Sequence, residues 1–294
     1  MGEVPMGSRD DVLAGGGTGG TTSSPMAFPI PVEELGTVSI VPNGSFEAGS
    51  YQTFVLTYVA GKFGIDDSGS MRVCFRFASD QTRPQFEDQK GPNYTTIEAS
   101  NNAVLTYHYD PKGNVRPWDR TLYIKVVRGF LREGDKITIT FGDRSGGSPG
   151  MRLQTFCEDS YEFHTLIDPI ATYCYQPMPV QPEIKIIPGK PARYLAVAPT
   201  IRAIDESFSI KFKGEDKWGN PSDQCDIQLY PHASHPVKNL PNMISLKPGE
   251  FFGVIEGLLV ADAADLHIDF LDDAGVVMCR TNPIRIEPAP LSRH

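Results

Sequence analysis

"TLYIKVVRGFLREGDKITITF", Thr121 to Phe141, decides the fold. In Thr121–Val127 and again in Lys136–Phe141 apolar side chains occupy every second position, and β-branched and aromatic residues dominate. That is the period of a half-buried strand, whose side chains point alternately to core and solvent. The cluster "REGD" between them supplies turn residues. The same alternation spreads outward through Tyr51–Val59 ("YQTFVLTYV"), Ser70–Phe77 ("SMRVCFRF"), Ala103–Tyr109 ("AVLTYHY") and Tyr161–Ile167 ("YEFHTLI"). No window keeps a 3.6-residue period over three turns. The first half therefore reads as a β-sandwich with one long irregular excursion between Ala78 and Asn102.

Strand periodicity resumes after "YQPMPVQPEIKIIPGKPAR" (Tyr175–Arg193), which carries five prolines. Arg193–Val197, Phe208–Phe212, Cys225–Leu229, Phe251–Leu259, Leu266–Phe270 and Val276–Cys279 follow at turn-punctuated intervals, the pattern of an immunoglobulin-like sandwich. "KGEDKWGNPSD" (Lys213–Asp223) reads as an exposed strand entering a turn, with Gly219 and Asn220 suited to positive φ and Pro221 ending it. "CRTNPIRIEPAPLSRH" reads as a final edge strand with a proline-broken exit. The start, "MGEVPMGSRDDVLAGGGTGGTTSSP", is too rich in Gly, Ser and Thr to pack. The expected fold class is all-β: two β-sandwich domains, the second immunoglobulin-like, after a disordered N-terminal tail. The expected boundaries are 1–34 for the tail, 35–175 for the first sandwich with its long loops, 176–188 for a proline-rich linker and 189–294 for the second sandwich.

Composition narrows the function classes. The chain has 294 residues, a length that suits two domains, with 40% hydrophobic and 21% charged residues. Its net charge of −9 offers no field for polyanions, so no nucleic-acid partner is expected. No apolar run is long enough to span a bilayer and the start lacks a signal-peptide apolar region, so no membrane partner and a cytoplasmic location are expected. The five cysteines, Cys74, Cys157, Cys174, Cys225 and Cys279, are an odd set without C-x-x-C spacing and read as scattered thiols.

Catalytic constellations are hard to find. His232 and His235 in "PHASHP" sit three apart in what reads as a loop, without a nearby Cys or carboxylate pair to complete a zinc site. There is no Gly-x-Ser-x-Gly elbow. "GDRSGGSPG" (Gly142–Gly150) has the glycines of a phosphate cradle, but a strand follows where the Walker pattern needs Gly-Lys-Ser/Thr opening a helix. As a connection it is a long hairpin loop, with Asp143 capping its own turn. Nine residues exceed what a plain hairpin needs. Two other Pro-bearing loops, "RPQFEDQKGPNYTT" and "NVRPWDR", pair arginine with aromatics: Arg83 with Phe86 and Tyr94, and Arg116 with Trp118. Arginine and aromatics in loops are what interfaces and ligand clefts prefer. The candidate contact residues are Arg83, Tyr94, Arg116, Trp118, Asp143, Arg144, Ser145 and Arg152. Interface, substrate contact and loop scaffolding all stay open for them. No catalytic residue and no metal ligand is assigned.

"GIDDSGSMRV", "RPQF…PNYTT", "GNVRPW", "LREGDKITITFGDRSGGSPGMRLQTF" and "KGEDKWGNP" resemble the N-terminal region of domain-of-unknown-function family 3604, over roughly Ser39 to Pro288. In that family such β-rich segments precede a catalytic domain similar to the polymerase-and-histidinol-phosphatase (PHP) metal hydrolases, opening with a Trp-Gly-Asp-x-His-Gly-like motif whose His and Asp bind metal. This sequence stops at "APLSRH", where that motif would begin, so none of those ligands can be carried over. The resemblance implies a non-catalytic accessory subunit or region of a metal-dependent hydrolase or lyase. Its partner would be a PHP-like catalytic polypeptide, either a separate subunit or a missing C-terminal part, and a divalent transition metal is expected in that partner and no cofactor in this chain. In that reading Arg116, Arg144 and Arg152 would hold a polar or anionic substrate group at one wall of the cleft. The alternative is a stand-alone β-sandwich protein that binds a carbohydrate or aromatic ligand through Trp118, Tyr94 and the arginines.

Overall fold

The computed structural model describes residues 30–289. Most of the expected tail lies outside them, but its last part does not behave as a tail. Ile30 is buried in the first core and Val32–Glu34 forms a single 3-10 turn. Alternation builds the rest. In Phe54–Ala60 the side chains of Phe54, Leu56, Tyr58 and Ala60 are buried, and in Lys136–Phe141 those of Ile137, Ile139 and Phe141 are. Register sets Phe54 opposite Phe141, Leu56 opposite Ile139 and Tyr58 opposite Ile137, so the inner face of this pair is apolar apart from the Tyr58 hydroxyl, which donates to the Leu35 carbonyl. Gly36–Val41 and Thr95–Ala99 complete this four-stranded sheet.

A five-stranded sheet packs against it, in the order Gln176–Pro177, His164–Asp168, Ser70–Phe75, Arg120–Arg128, Val104–Asp110. Met71 lies opposite Ile124 and Val73 opposite Leu122, and both inner faces share one core. Thr121–Val127 and Lys136–Phe141 thus sit in different sheets, and the "REGD" turn carries the chain between layers. Phe163 closes the core: its ring centroid lies 5.6 Å from those of Phe54, Phe75 and Tyr161 and 5.7 Å from that of Phe141.

The second sandwich has its own core, from Ala196 to Ile286, with Phe212 stacked on Phe270 at 6.2 Å. Its strands form the groups Arg193–Val197, Phe208–Glu215, Gly253–Leu258; then Ile244–Leu246, Ile227–Ala233, Ile268–Leu271, Val277–Arg280; and Ile201–Ala203, Ile284–Glu287, Ala264–Leu266. The described chain is all-β, in two sandwiches. No helix among the described residues is long and apolar enough to cross a membrane.

Several expectations need correction. The excursion from Ala78 to Asn102 contains the strand Thr95–Ala99, disguised because Ile97 is its one large apolar residue. Residues 176–188 are not a linker. Gln176–Pro177 pairs with Leu166 and Ile167, Met178 is buried, and Glu183–Ile187 joins Glu158–Glu162 on one side and Ser45–Glu47 on the other. The prolines stand between or at the ends of these short strands, while Ile184 and Ile186 alternate into the first core. Ile284–Glu287 is the centre of its sheet rather than an edge, because Ile284 and Ile286 are buried and strands pair on both sides. The Phe208–Glu215 strand is buried at Phe208, Ile210, Phe212 and Glu215 instead of exposed. His232 lies on a strand opposite Asp269, not in a loop.

The two sandwiches are joined by the turn after Phe208–Glu215. Asp216 is 2% exposed. One carboxylate oxygen accepts the amides of Trp218 (2.8 Å) and Asn220 (2.9 Å); the other accepts the Gly189 amide (3.1 Å) and the Asn220 side-chain amide (2.9 Å). Held this way, the turn reaches the first sandwich. Asn220 donates to the Thr155 carbonyl at 2.9 Å and accepts the Cys157 amide at 3.2 Å, and the Trp218 indole donates to the Ala48 carbonyl at 3.0 Å. Gly49, at φ +67, has to be glycine, since an added Cβ would lie 2.6 Å from the Trp218 ring. Ser222 bonds the Gly189 carbonyl and Gln224 the Pro188 carbonyl. The true junction, around Pro188–Ala192, is therefore clamped by buried polar groups of the second domain.

Candidate functional site

Three loops gather at one end of the first sandwich: 76–94, 114–120 and 142–150. The first is long because the Ser70–Phe75 strand stops two residues earlier than its pattern suggests, leaving Arg76 and Phe77 exposed. Phe77 donates its amide to the Pro117 carbonyl, which ties the first two loops together.

The 142–150 loop answers to its own polar groups. It joins Lys136–Phe141 to Met151–Arg152, which pairs with Tyr51–Gln52, so it is not the hairpin loop expected. Gly142 at φ +64 permits the sharp departure; a Cβ there would sit 2.1 Å from the Met151 nitrogen. Asp143 accepts the Ser145 amide at 2.9 Å and the Thr96 hydroxyl at 3.0 Å, and its own amide reaches the Tyr94 carbonyl. The Ser145 amide bond above all holds the Asp143 carboxyl below its ordinary range. Arg144 donates to the Tyr51 carbonyl at 2.9 Å, and Ser148 to the Gly91 carbonyl at 2.8 Å. Tyr94 is half-buried and bridged to Gln85, while Ser145 stays exposed. Asp143→Ala is expected to lose about 1–2 kcal/mol, the worth of two such bonds. Amide exchange should then quicken at Ser145 and leave the core strands unchanged. Equal protection in wild type and variant would contradict this anchoring.

Arg152 is also committed. It pairs with Asp80 at 3.5 Å and donates to the Asp80 carbonyl at 2.7 Å. Burial works to raise the Asp80 carboxyl, but the Thr155 amide and hydroxyl together with Arg152 outweigh it and hold it low. Arg116 and Trp118 belong to a separate patch. Arg116 lies over the Phe77 ring at 4.9 Å and pairs with Asp119 at 3.5 Å. Trp118 stacks on His164 at 4.8 Å, with Arg76 at 5.4 Å from its ring centroid. His164 bonds Glu162 at 2.6 Å, and Arg76 pairs with Glu158.

The eight candidate residues thus fall into groups: Tyr94, Asp143, Arg144 and Ser145 in one network, Arg152 adjoining it through Thr82, Arg116 and Trp118 in the aromatic patch, and Arg83 alone beside Tyr109. The sequence reading missed Arg76 and Phe77 because they continue a strand pattern. It missed His164 and Tyr109 because alternation only said which face they occupy. Among the described residues no three His, Cys, Asp or Glu side chains converge as a metal site.

Fold and loops define a two-domain β-sandwich protein whose arginine- and aromatic-bearing loops crowd one end of the first domain. No family model matches the chain, and no curated protein does. Among solved structures it is similar to the adhesin InvE of Yersinia pseudotuberculosis (9% identity, TM-score 0.26, covering 87% of this chain and 59% of the adhesin). It is also similar to red sea bream transglutaminase (10%, 0.22, 87% and 32%) and to a marsupial T cell receptor (10%, 0.25, 88% and 74%). The chain therefore spans less than two thirds of the first two. At these TM-scores the likenesses carry no argument about function.

Proposed function

We propose that this chain is a non-catalytic β-rich accessory subunit or region of a metal-dependent hydrolase or lyase, cytoplasmic, that docks a PHP-like catalytic polypeptide and forms one wall of its substrate cleft. The observation that carries this reading is the patch of paired arginines and aromatics. Phe77 is 45% exposed, Val115 is 79% exposed, and the Arg116 side chain over Phe77 is 74% exposed. Aromatic and arginine side chains held against each other at the surface are the residues on which interfaces concentrate their binding free energy. The resemblance of the loops to family 3604 supplies the partner's chemistry. The described residues of this chain do not gather a metal-ligand set. It is the resemblance that puts a divalent transition metal in the partner.

The test is a double variant, Phe77→Asp with Arg116→Glu, in the full chain. Loss of about 2 kcal/mol at a hot spot corresponds to about 30-fold weaker association. The variant should fail to recover the metal-bearing polypeptide that the parent recovers, while Ser145→Ala recovers it. Undiminished recovery by the double variant would remove the patch from the interface.

A further inference from the structure

On the first sandwich, between the edge strand Val104–Asp110 and the 83–87 segment, lies an open depression of about 580 Å3. Its lining includes Arg83, Phe86, Glu87, Tyr107 and Tyr109. Tyr107 and Tyr109 face it together because they are two apart on one strand. The Phe86 ring packs 4.8 Å from that of Tyr107, so the floor is aromatic.

The wall is held by its own hydrogen bonds. The Gln85 side chain accepts the Glu87 and Asp88 amides at 3.1 and 3.0 Å and donates to the Asp88 carbonyl at 2.7 Å. The backbone is bridged from Gln85 to Tyr94, and the Thr95 amide reaches the Gln85 carbonyl. Against this fixed frame two charged heads are left over. Arg83 and Glu87 are exposed, and neither side chain has an ion pair or hydrogen bond among the described residues. Arg120, which also acts on Tyr109, is already bound to the Ser79 carbonyl.

From this we infer that the depression is a binding site for an acidic sugar, a pyranose ring bearing a carboxylate. The C–H face of the ring would lie on Phe86 and Tyr107, as sugars stack on aromatic platforms with an apolar body and a polar rim. The planar fork of Arg83 matches the carboxylate. Glu87 is acceptor-only when ionised and needs donors, which ring hydroxyls supply. An aryl carboxylate lacks those donors. A neutral sugar would leave the guanidinium without its best partner.

The test uses the full chain labelled with 3-fluorotyrosine, titrated separately with glucuronate, galacturonate, methyl glucoside and benzoate. At least one uronate should shift the Tyr107 and Tyr109 signals saturably, and the glucoside and benzoate should bind at least about tenfold more weakly. Arg83→Ala and Arg83→Gln should each weaken the uronate at least about tenfold, with Tyr109→Phe as an assignment control and unchanged melting showing that both variants are folded. Saturation by neither uronate, equal affinity for the glucoside or benzoate, or an Arg83 variant that binds as the parent does would each overturn the assignment.

Discussion

Asp216→Ala is expected to destabilise the protein by about 3–5 kcal/mol and to uncouple its two domains, because it strands the amides of Gly189, Trp218 and Asn220 in a partly buried turn, each costing about 1–3 kcal/mol before partial rehydration. Without that carboxylate Asn220 also loses the partner that aims it at Thr155 and Cys157. Scanning calorimetry should show one cooperative transition in the parent and two in the variant. Asp216→Asn, which keeps the shape but offers one acceptor oxygen, should fall between. The pH dependence has a definite sign. Burial alone would raise the Asp216 carboxyl, yet the bonds from Asn220, Gly189 and Trp218 outweigh it and hold the group below its ordinary range. A depressed carboxyl contributes stability that is complete above the unfolded value of about 3.9 and is lost as pH falls through the folded one. Domain coupling should therefore be flat near neutrality and weaken below about pH 4. The Asp216→Ala protein should lack that acid-sensitive increment. A single unchanged transition in the variant would mean that the turn does not couple the domains.

Phe163→Ala should be the most damaging single core change in the first sandwich, costing about 3–5 kcal/mol. Phe163 is 0% exposed, and it lies between the strands Glu158–Glu162 and His164–Asp168, where the chain passes from a small outer sheet into the five-stranded one. Its ring meets those of Phe54, Phe75, Phe141 and Tyr161, so truncation opens a void that rigid aromatic neighbours on both sheets cannot fill. Urea unfolding should show a lower midpoint with the slope retained. Phe163→Leu should recover a large part of the loss. A cost below about 1 kcal/mol for the alanine variant would show that the core repacks around the gap.

How much of this was legible depended on how each contact is encoded. The alternation in Phe54–Ala60 and Lys136–Phe141 fixes a buried face without reference to the rest of the chain, and those strands are where periodicity puts them. The placing of Thr121–Val127 and Lys136–Phe141 in separate sheets is a long-range choice, made by Met71, Val73 and Phe54 elsewhere in the chain, and local pattern is silent on it. Five prolines masked Glu183–Ile187, although "EIKII" carries the period of a strand. The Asp216–Asn220 turn was read for its local φ values; Gly219 does take a positive φ, but Asn220 does not, and its side chain works on Thr155, far away in sequence. The arginine-rich loops were found by composition. Their division into a committed network, an aromatic patch and an unpaired Arg83 follows from partners such as Tyr51, Asp80 and Phe77 that no spacing identifies.

The most direct test of the proposed accessory role is native purification of the full chain from its own cells, with light-scattering mass, peptide sequencing and metal analysis of the purified particle. The account predicts a complex, or a longer parent polypeptide, containing a Trp-Gly-Asp-x-His-like catalytic sequence and a bound divalent transition metal, and lost from the Phe77→Asp, Arg116→Glu variant if the partner is a separate subunit. A metal-free particle composed of this chain alone would contradict it.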